Sequence, residues 1–314
     1  MKNKSLRGSL LLLLGAAIWG AAFVAQRVGM DHLGPFSFNG IRMLMAGFLL
    51  LPVIFMNDRL HAPFSDASSP SQPASGANRS PWRQVCLPGL LCGILLFVSS
   101  SLQQIGLVYT TAGKAGFITA LYVVLVPLAS WLFFRKNPGK WIWLSVLLAV
   151  VGLFLICVPA SLNLALNRGD LLVLGCAFFF TGHILAVDHF SPLVDNLRLS
   201  CMQFFVCGFL SVLPALLLET ITLPAIQGAL IPLLYAGVLS GAVAYTLQII
   251  AQKDTNPTVA SLMMCLESVF AVLTGALILG ERMSRREAFG CIIMFTAVVL
   301  AQLSPLLKKK RVRH

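Results

Sequence analysis

The stretch "TLQIIAQKDTNPTVASLMMCLESVFAVLTGALI", residues 246–278, has a second half apolar enough for lipid, yet Glu267 stands in it. No Lys or Arg lies between Asp254 and Arg282 to pair with that carboxylate along the chain. The stretch falls without a gap on "SLQQIGLVYTTAGKAGFITALYVVLVPLASWLF", residues 101–133, at an offset of 145. Leu247 and Gln248 meet Leu102 and Gln103, Ile250 meets Ile105, Thr255 meets Thr110, Ala260 meets Ala115 and Leu266 meets Leu121. Each copy reads as the end of one apolar helix, a short polar turn and a second apolar helix. The chain therefore repeats itself, and the repeated unit is built of membrane helices.

Earlier segments extend the match at offsets near 160: "GAAIWGAAFV" (15–24) falls on "GCAFFFTGHI" (175–184), and "GIRMLMAGFL" (40–49) on "CMQFFVCGFL" (201–210). Of the 314 residues 58% are hydrophobic and 11% charged, against roughly 25% charged in a soluble domain. A bilayer core takes about 20 apolar residues per helix. Ten stretches qualify: 8–29, 36–56, 85–108, 114–134, 141–159, 170–188, 197–218, 228–252, 257–279 and 287–306. Backbone groups in lipid must bond within their own segment, so these are helices, and short alternating strands of a barrel are absent from the pattern. The fold class is all-α integral membrane, with ten transmembrane helices in two five-helix repeats. Five is odd, so the second copy enters the membrane from the other side and the repeat is inverted, a device of transporters that rock around a midplane site.

The repeats are expected at 1–159 and 160–306, with a basic tail at 307–314. The Ser-, Pro- and Ala-rich stretch 57–83 reads as a flexible cytoplasmic loop. The first apolar run has a basic head like a secretory signal, but it is long enough to span and recurs in the second half, so it reads as a retained helix. Lys and Arg set the orientation. With both termini in the cytoplasm, the inner side holds Lys2, Lys4, Arg7, Arg59, Arg79, Arg83, Arg135, Lys136, Lys140, Arg198, Lys253 and the tail, while the outer loops hold Lys114, Arg168, Arg282, Arg285 and Arg286. The loop "GERMSRRE" (280–287) is the exception to the bias. The net charge of +12 thus sits beside membrane helices, as at a cytoplasmic lipid face, and does not form a nucleic-acid surface. The eight cysteines form no CxxC pair and have no His at zinc-ligand spacing, so they read as packing residues.

Five segments carry a family resemblance: "WGAAFVAQR", "GPFSFNGIRMLMAG", "TTAGKAGFITALYVVLVPL", "AYTLQIIAQK" and "SLMMCLESVFAVLTGALILGERMS". They resemble the EamA-type branch of the drug/metabolite transporter superfamily over about residues 8–306. The resemblance implies ten helices in two inverted repeats, both ends cytoplasmic, moving small polar or amphipathic metabolites such as amino acids or drugs. The chain departs from the family in having Ser268 where Pro often follows the mid-helix Glu, and Arg135–Lys136 where the second repeat has Gly280–Glu281.

Of the 11 acidic residues, Glu267 alone stands near the middle of a span. Burying a charge there costs about 3 kcal/mol on insertion scales, and such residues usually face a bundle interior or a wet cavity. Glu267 is either a substrate- or proton-binding group or a structural acid bonded to a neighbouring helix. Polar stripes at helical spacing run through Gly15, Trp19, Ala22 and Gln26; Ser99, Gln103 and Gly106; Thr119 and Tyr122; and Gly241, Tyr245, Gln248 and Gln252. Taken singly each is helix–helix glue; together they outline a polar pathway. Trp19 and Tyr245 can stack on a ligand or fill space. His183 can relay protons with Glu267 or simply pack. Arg42, inside the second span, binds an anion or snorkels to headgroups, and snorkelling is the expectation. Pro127 breaks one backbone bond of the fourth span.

The reading is a secondary transporter of the cytoplasmic (inner) membrane, with export as the expected direction. Its expected partners are a small-molecule substrate and membrane lipid, with no nucleic acid, and a homodimer is the candidate assembly. No cofactor and no metal are expected, and no ATP-binding "GxxxxGK[ST]" loop occurs. The competing classes are an intramembrane enzyme using Glu267 and His183, and a channel.

Overall fold

A computed structural model describes residues 2–60, 81–110, 112–135, 137–158, 167–278 and 283–310. It is an all-α bundle with ten helices long and apolar enough to cross a membrane. In the first half these are α1 (Lys2–Met30), α2 (Pro35–Leu60), α3 (Pro81–Tyr109), the pair α4 (Ala112–Thr119) and α5 (Tyr122–Phe134), and α6 (Lys140–Cys157). In the second half they are α7 (Arg168–Phe190), α8 (Asn196–Leu218), a composite span, the pair α12 (Pro257–Met264) and α13 (Glu267–Ile278), and α14 (Arg285–Lys310). The composite eighth span joins α10 (Leu230–Leu234), a π-helix at Tyr235–Tyr245 and α11 (Thr246–Gln252). A short helix, α9 (Leu223–Gly228), precedes it.

The stretch 57–83, expected as a loop, is helical at both of its described ends. Helix α2 continues through Leu60 and α3 begins at Pro81, where a proline suits the first helical turn. Asp58 there makes an ion pair with Arg198 at the start of α8, with N···O 2.5 Å. Residues 61–80, the repeat boundary at 159–160, most of "GERM" and the last four residues of the tail lie outside the described residues. Lys310, inside the tail, still ends α14.

The bundle turns its large apolar side chains outward. Phe48, Leu132, Leu147, Phe178, Leu217, Ile231 and Phe289 are exposed, and a patch of that extent needs an apolar surrounding. Polar side chains are buried beside the apolar core: Asn39, Ser100, His183, Gln203 and Ser211 lie inside. With lipid outside there is no hydrophobic gain in joining helices, so polar contacts and small residues hold them. Gly152 of α6 and Gly290 of α14 show the second device. A Cβ on Gly152 would lie 3.0 Å from Gly290 O, and one on Gly290 would lie 2.9 Å from Gly152 O. Side chains there would force the two backbones apart.

Helices α2 and α8, the second of each half, run antiparallel. At one end of the α2–α8 pair, the Glu219 carboxylate just beyond α8 accepts from Phe36 N at 2.9 Å and Ser37 N at 2.8 Å. It also accepts from Ser37 Oγ at 2.5 Å. These are free donors at a helix start, where a negative charge is favoured. At the other end sits Asp58–Arg198.

The fourth and ninth spans are both interrupted, at equivalent positions. Leu121 N bonds Ile118 O at 3.2 Å and Val123 N bonds Ala120 O at 3.0 Å; 145 residues on, Leu266 N bonds Met263 O at 3.1 Å and Ser268 N bonds Cys265 O at 3.2 Å. These i→i−3 bonds tighten one turn and re-aim the helix. The proline expected to bend the fourth span, Pro127, lies inside α5, and the break falls before it.

Candidate functional site

The two breaks meet. Tyr122 Oη donates to Glu267 Oε1 at 3.3 Å, and Cys265 Sγ donates to Ala120 O at 3.6 Å, both across a sequence separation of 145. In each contact a residue touches its own repeat counterpart. Both interruptions thus face one place inside the bundle, and a cavity opens beside them.

Its wall is drawn from both halves. Helix α1 supplies Trp19, Phe23 and Gln26, and α2 supplies Arg42. The third span gives Gln103, and the broken fourth span gives Thr119 and Tyr122. Phe180 and Ile184 come from α7, Ser240 and Tyr245 from the π-helix, Gln248 from α11, Met264 from α12 and Glu267 from α13. Six of the wall positions form three repeat pairs: Gln103 and Gln248, Thr119 and Met264, Tyr122 and Glu267.

Most of these groups are held before any ligand arrives. Gln103 Nε2 donates to Thr119 Oγ1 at 3.2 Å. Gln248 Nε2 donates to Gln252 Oε1 at 2.9 Å, and Gln252 Nε2 in turn to Ile184 O at 3.1 Å. Trp19 Nε1 donates to Ser240 O at 3.3 Å inside the π-helix, and the Trp19 and Tyr245 rings meet edge to face at 5.0 Å. Such wide turns recur at functional sites. Glu267 is only 8% exposed, and among the described residues it has Tyr122 as its hydrogen-bond partner and no ion pair.

Trp19, Gln103, Thr119, Tyr122, Tyr245, Gln248 and Glu267, the pathway residues expected from sequence, thus come together on one wall. His183 does not. It is fully buried behind Tyr245, ring centroids 6.2 Å apart, with Nε2 3.0 Å from Gln203 Oε1. His183 and Glu267 share no hydrogen bond among the described residues, so they do not form the acid–base pair an intramembrane enzyme would use. Gln103 and Gln248, the two amides in register, both line this chamber.

Arg42 departs furthest from its sequence reading. It does not snorkel: it is 3% exposed and lines the cavity. Depth counted along a helix cannot show that the chamber, and not the headgroup layer, is the nearer polar medium. Phe23, Phe180, Ile184 and Ser240 were not singled out, because apolar and small residues on a cavity wall look like any other packing residue in a membrane helix.

The chamber places one acid and one guanidinium, not paired with each other, among aromatic rings and amides. That arrangement suits reversible holding of a small amphipathic molecule. A ten-span bundle enclosing such a chamber is the build of a membrane transporter. The sequence pattern of the EamA-like transporter family matches residues 6–158 and 167–303, and the chain belongs to that family. It is 32% identical over 300 residues to an uncharacterized transporter of Archaeoglobus fulgidus, covering 96% of this chain and 87% of the relative. It is 22% identical over 304 residues to the uncharacterized transporter YwfM of Bacillus subtilis, covering 96% and 95%. It is also 22% identical over 308 residues to the uncharacterized inner membrane transporter YedA of Escherichia coli K12, covering 95% and 93%. One protein of known crystal structure superposes with a TM-score of 0.77 over 94% of this chain and 96% of that one, at 16% identity; this is a likeness of fold.

Proposed function

We propose that the protein is a secondary transporter of the cytoplasmic membrane that moves small amphipathic metabolites by alternating access. The observation that carries the reading is the chamber at the meeting of the two broken spans, walled by repeat-paired residues and holding Glu267. Discontinuous helices at equivalent places in two halves are how transporters with inverted repeats build a midplane site. The antiparallel α2–α8 pair and the matching bond patterns of the two breaks support an inverted repeat. Trp19, Phe23, Phe180 and Tyr245 on the wall favour a cargo with a flat apolar body. Glu267 binds a proton or a substrate cation. The Lys/Arg bias supports cytoplasmic termini, and export is the direction we expect.

The test is counterflow in proteoliposomes. Labelled amphipathic metabolites, aromatic amino acids first, are screened with and without a pH gradient. Saturable, substrate-specific counterflow supports the reading, and oriented vesicles give the direction. A chemically altered product would indicate an enzyme, and non-saturating flux a channel.

A further inference from the structure

Arg42 is a buried cation without a carboxylate. Among the described residues its guanidinium bonds Asn39 Oδ1 alone, through Nε at 3.1 Å and Nη2 at 2.8 Å. A guanidinium has five N–H groups. Asn39 takes the two on the Nε–Nη2 edge. The Nη1–Nη2 edge is left with two parallel N–H groups, the fork that a carboxylate accepts end-on, and Arg42 lines the chamber. Leaving a buried charge uncompensated is costly, and membrane-buried charges commonly mark a ligand path.

The guanidinium is also aimed. Ser100 Oγ donates to Leu96 O at 2.6 Å and Ser211 Oγ donates to Cys207 O at 2.8 Å. With their protons spent on their own helices, both hydroxyls can only accept from Asn39 Nδ2, at 3.0 and 2.9 Å. The Asn39 amide is thereby fixed with Oδ1 toward Arg42. Asn39 is fully buried, so three helices hold one edge of the guanidinium, and the other has no hydrogen-bond partner among the described residues. Nothing in the second half repeats this: at the offset of 161 that pairs residues 40–49 with 201–210, Arg42 falls on Gln203.

We propose that Arg42 is the chamber's anion anchor and takes the carboxylate of the transported molecule in a two-pronged hydrogen bond, with Asn39 as its positioning residue. This names a chemical group of the cargo and rests on the transport reading. The cargo's carboxylate supplies the charge the guanidinium lacks, while its apolar body lies against the aromatic wall.

The full-length protein, purified in detergent, is titrated calorimetrically with 3-phenylpropionate, its neutral amide 3-phenylpropanamide, and phenylphosphonate. Wild type should bind the carboxylate about ten-fold or more tighter than the amide, the scale of a buried charge-assisted hydrogen bond. Arg42→Gln should erase that preference and Arg42→Lys restore part of it. Asn39→Asp, nearly isosteric, places an internal carboxylate on the guanidinium and should erase the preference too; it carries the test should Arg42→Gln fail to fold. Equal binding of acid and amide by wild type overturns the proposal, as does a preference that survives Arg42→Gln or Asn39→Asp. Tighter binding of phenylphosphonate overturns the carboxylate assignment in favour of a phosphoryl group. Arg42-dependent binding without counterflow would leave the anchor standing and sink the transport reading; carboxylate counterflow indifferent to Arg42→Gln would do the reverse.

Discussion

At the scale of single residues the molecule places two opposite charges in one chamber and keeps them apart. Glu267 is bonded to Tyr122 and to no cation among the described residues. A carboxylate in that setting exchanges a proton or meets a cationic group at little structural cost. Glu267→Gln preserves shape and one hydrogen bond while removing titration. Expression and unfolding midpoint should be retained, while counterflow falls or loses its dependence on pH, read in proteoliposomes over a pH series. Normal flux with the wild-type pH profile would make Glu267 a structural acid. Tyr122→Phe removes the hydroxyl that touches the carboxylate without opening space. It should leave folding intact and move the midpoint of the same pH profile, and an unmoved profile would detach Tyr122 from the titrating group. Glu267 was legible in the sequence because one acid among apolar neighbours is conspicuous. Arg42 was only half legible: its charge was plain, but the polar chamber that spares it the trip to the headgroups is made by helices distant in sequence.

At the scale of elements, composition sufficed for the ten spans, since a window of about 20 apolar residues needs no knowledge of neighbours. The breaks were not readable in that way. Thr119–Ala120–Leu121 and Met264–Cys265–Leu266 hold neither Gly nor Pro, so nothing local announces a helix end. The gap-free register between the two stretches did place them at equivalent positions, as a constraint on the pair and not on either alone. Glu219 went unnoticed for a similar reason: its partners, Phe36 and Ser37, lie more than 180 residues away. Glu219→Ala should strand two backbone N–H groups at the start of α2 and cost about 1–3 kcal/mol per unmet group. The check is the unfolding midpoint of the detergent-purified protein, which should drop while Asp58→Asn, at the half-exposed end of the same helix pair, changes it little. A Glu219→Ala midpoint equal to wild type would show that water replaces the cap.

At the scale of the whole molecule, the distribution of Lys and Arg predicts cytoplasmic termini, with the arginines near residues 282–286 as the tension. A cysteine at Ser284 should react with a membrane-impermeant thiol reagent applied from the periplasmic side, and one at Lys253 should not, in a background free of the native cysteines. The opposite pattern would turn the molecule over in the membrane.

The bond between Tyr122 and Glu267 has a consequence at this scale. When two inverted halves trade shapes, a contact between dissimilar positions is replaced by its counterpart elsewhere, but a contact between counterparts is carried onto itself. The pair of positions is then the same seen from either side of the bilayer, but its occupants differ, and Tyr122 and Glu267 exchange places when the halves trade shapes. A proton resting there changes sides with the one carboxylate that carries it. The meeting point would act as a turnstile with a single arm, and Arg42 opposite Gln203 is a second place where the two halves are unlike.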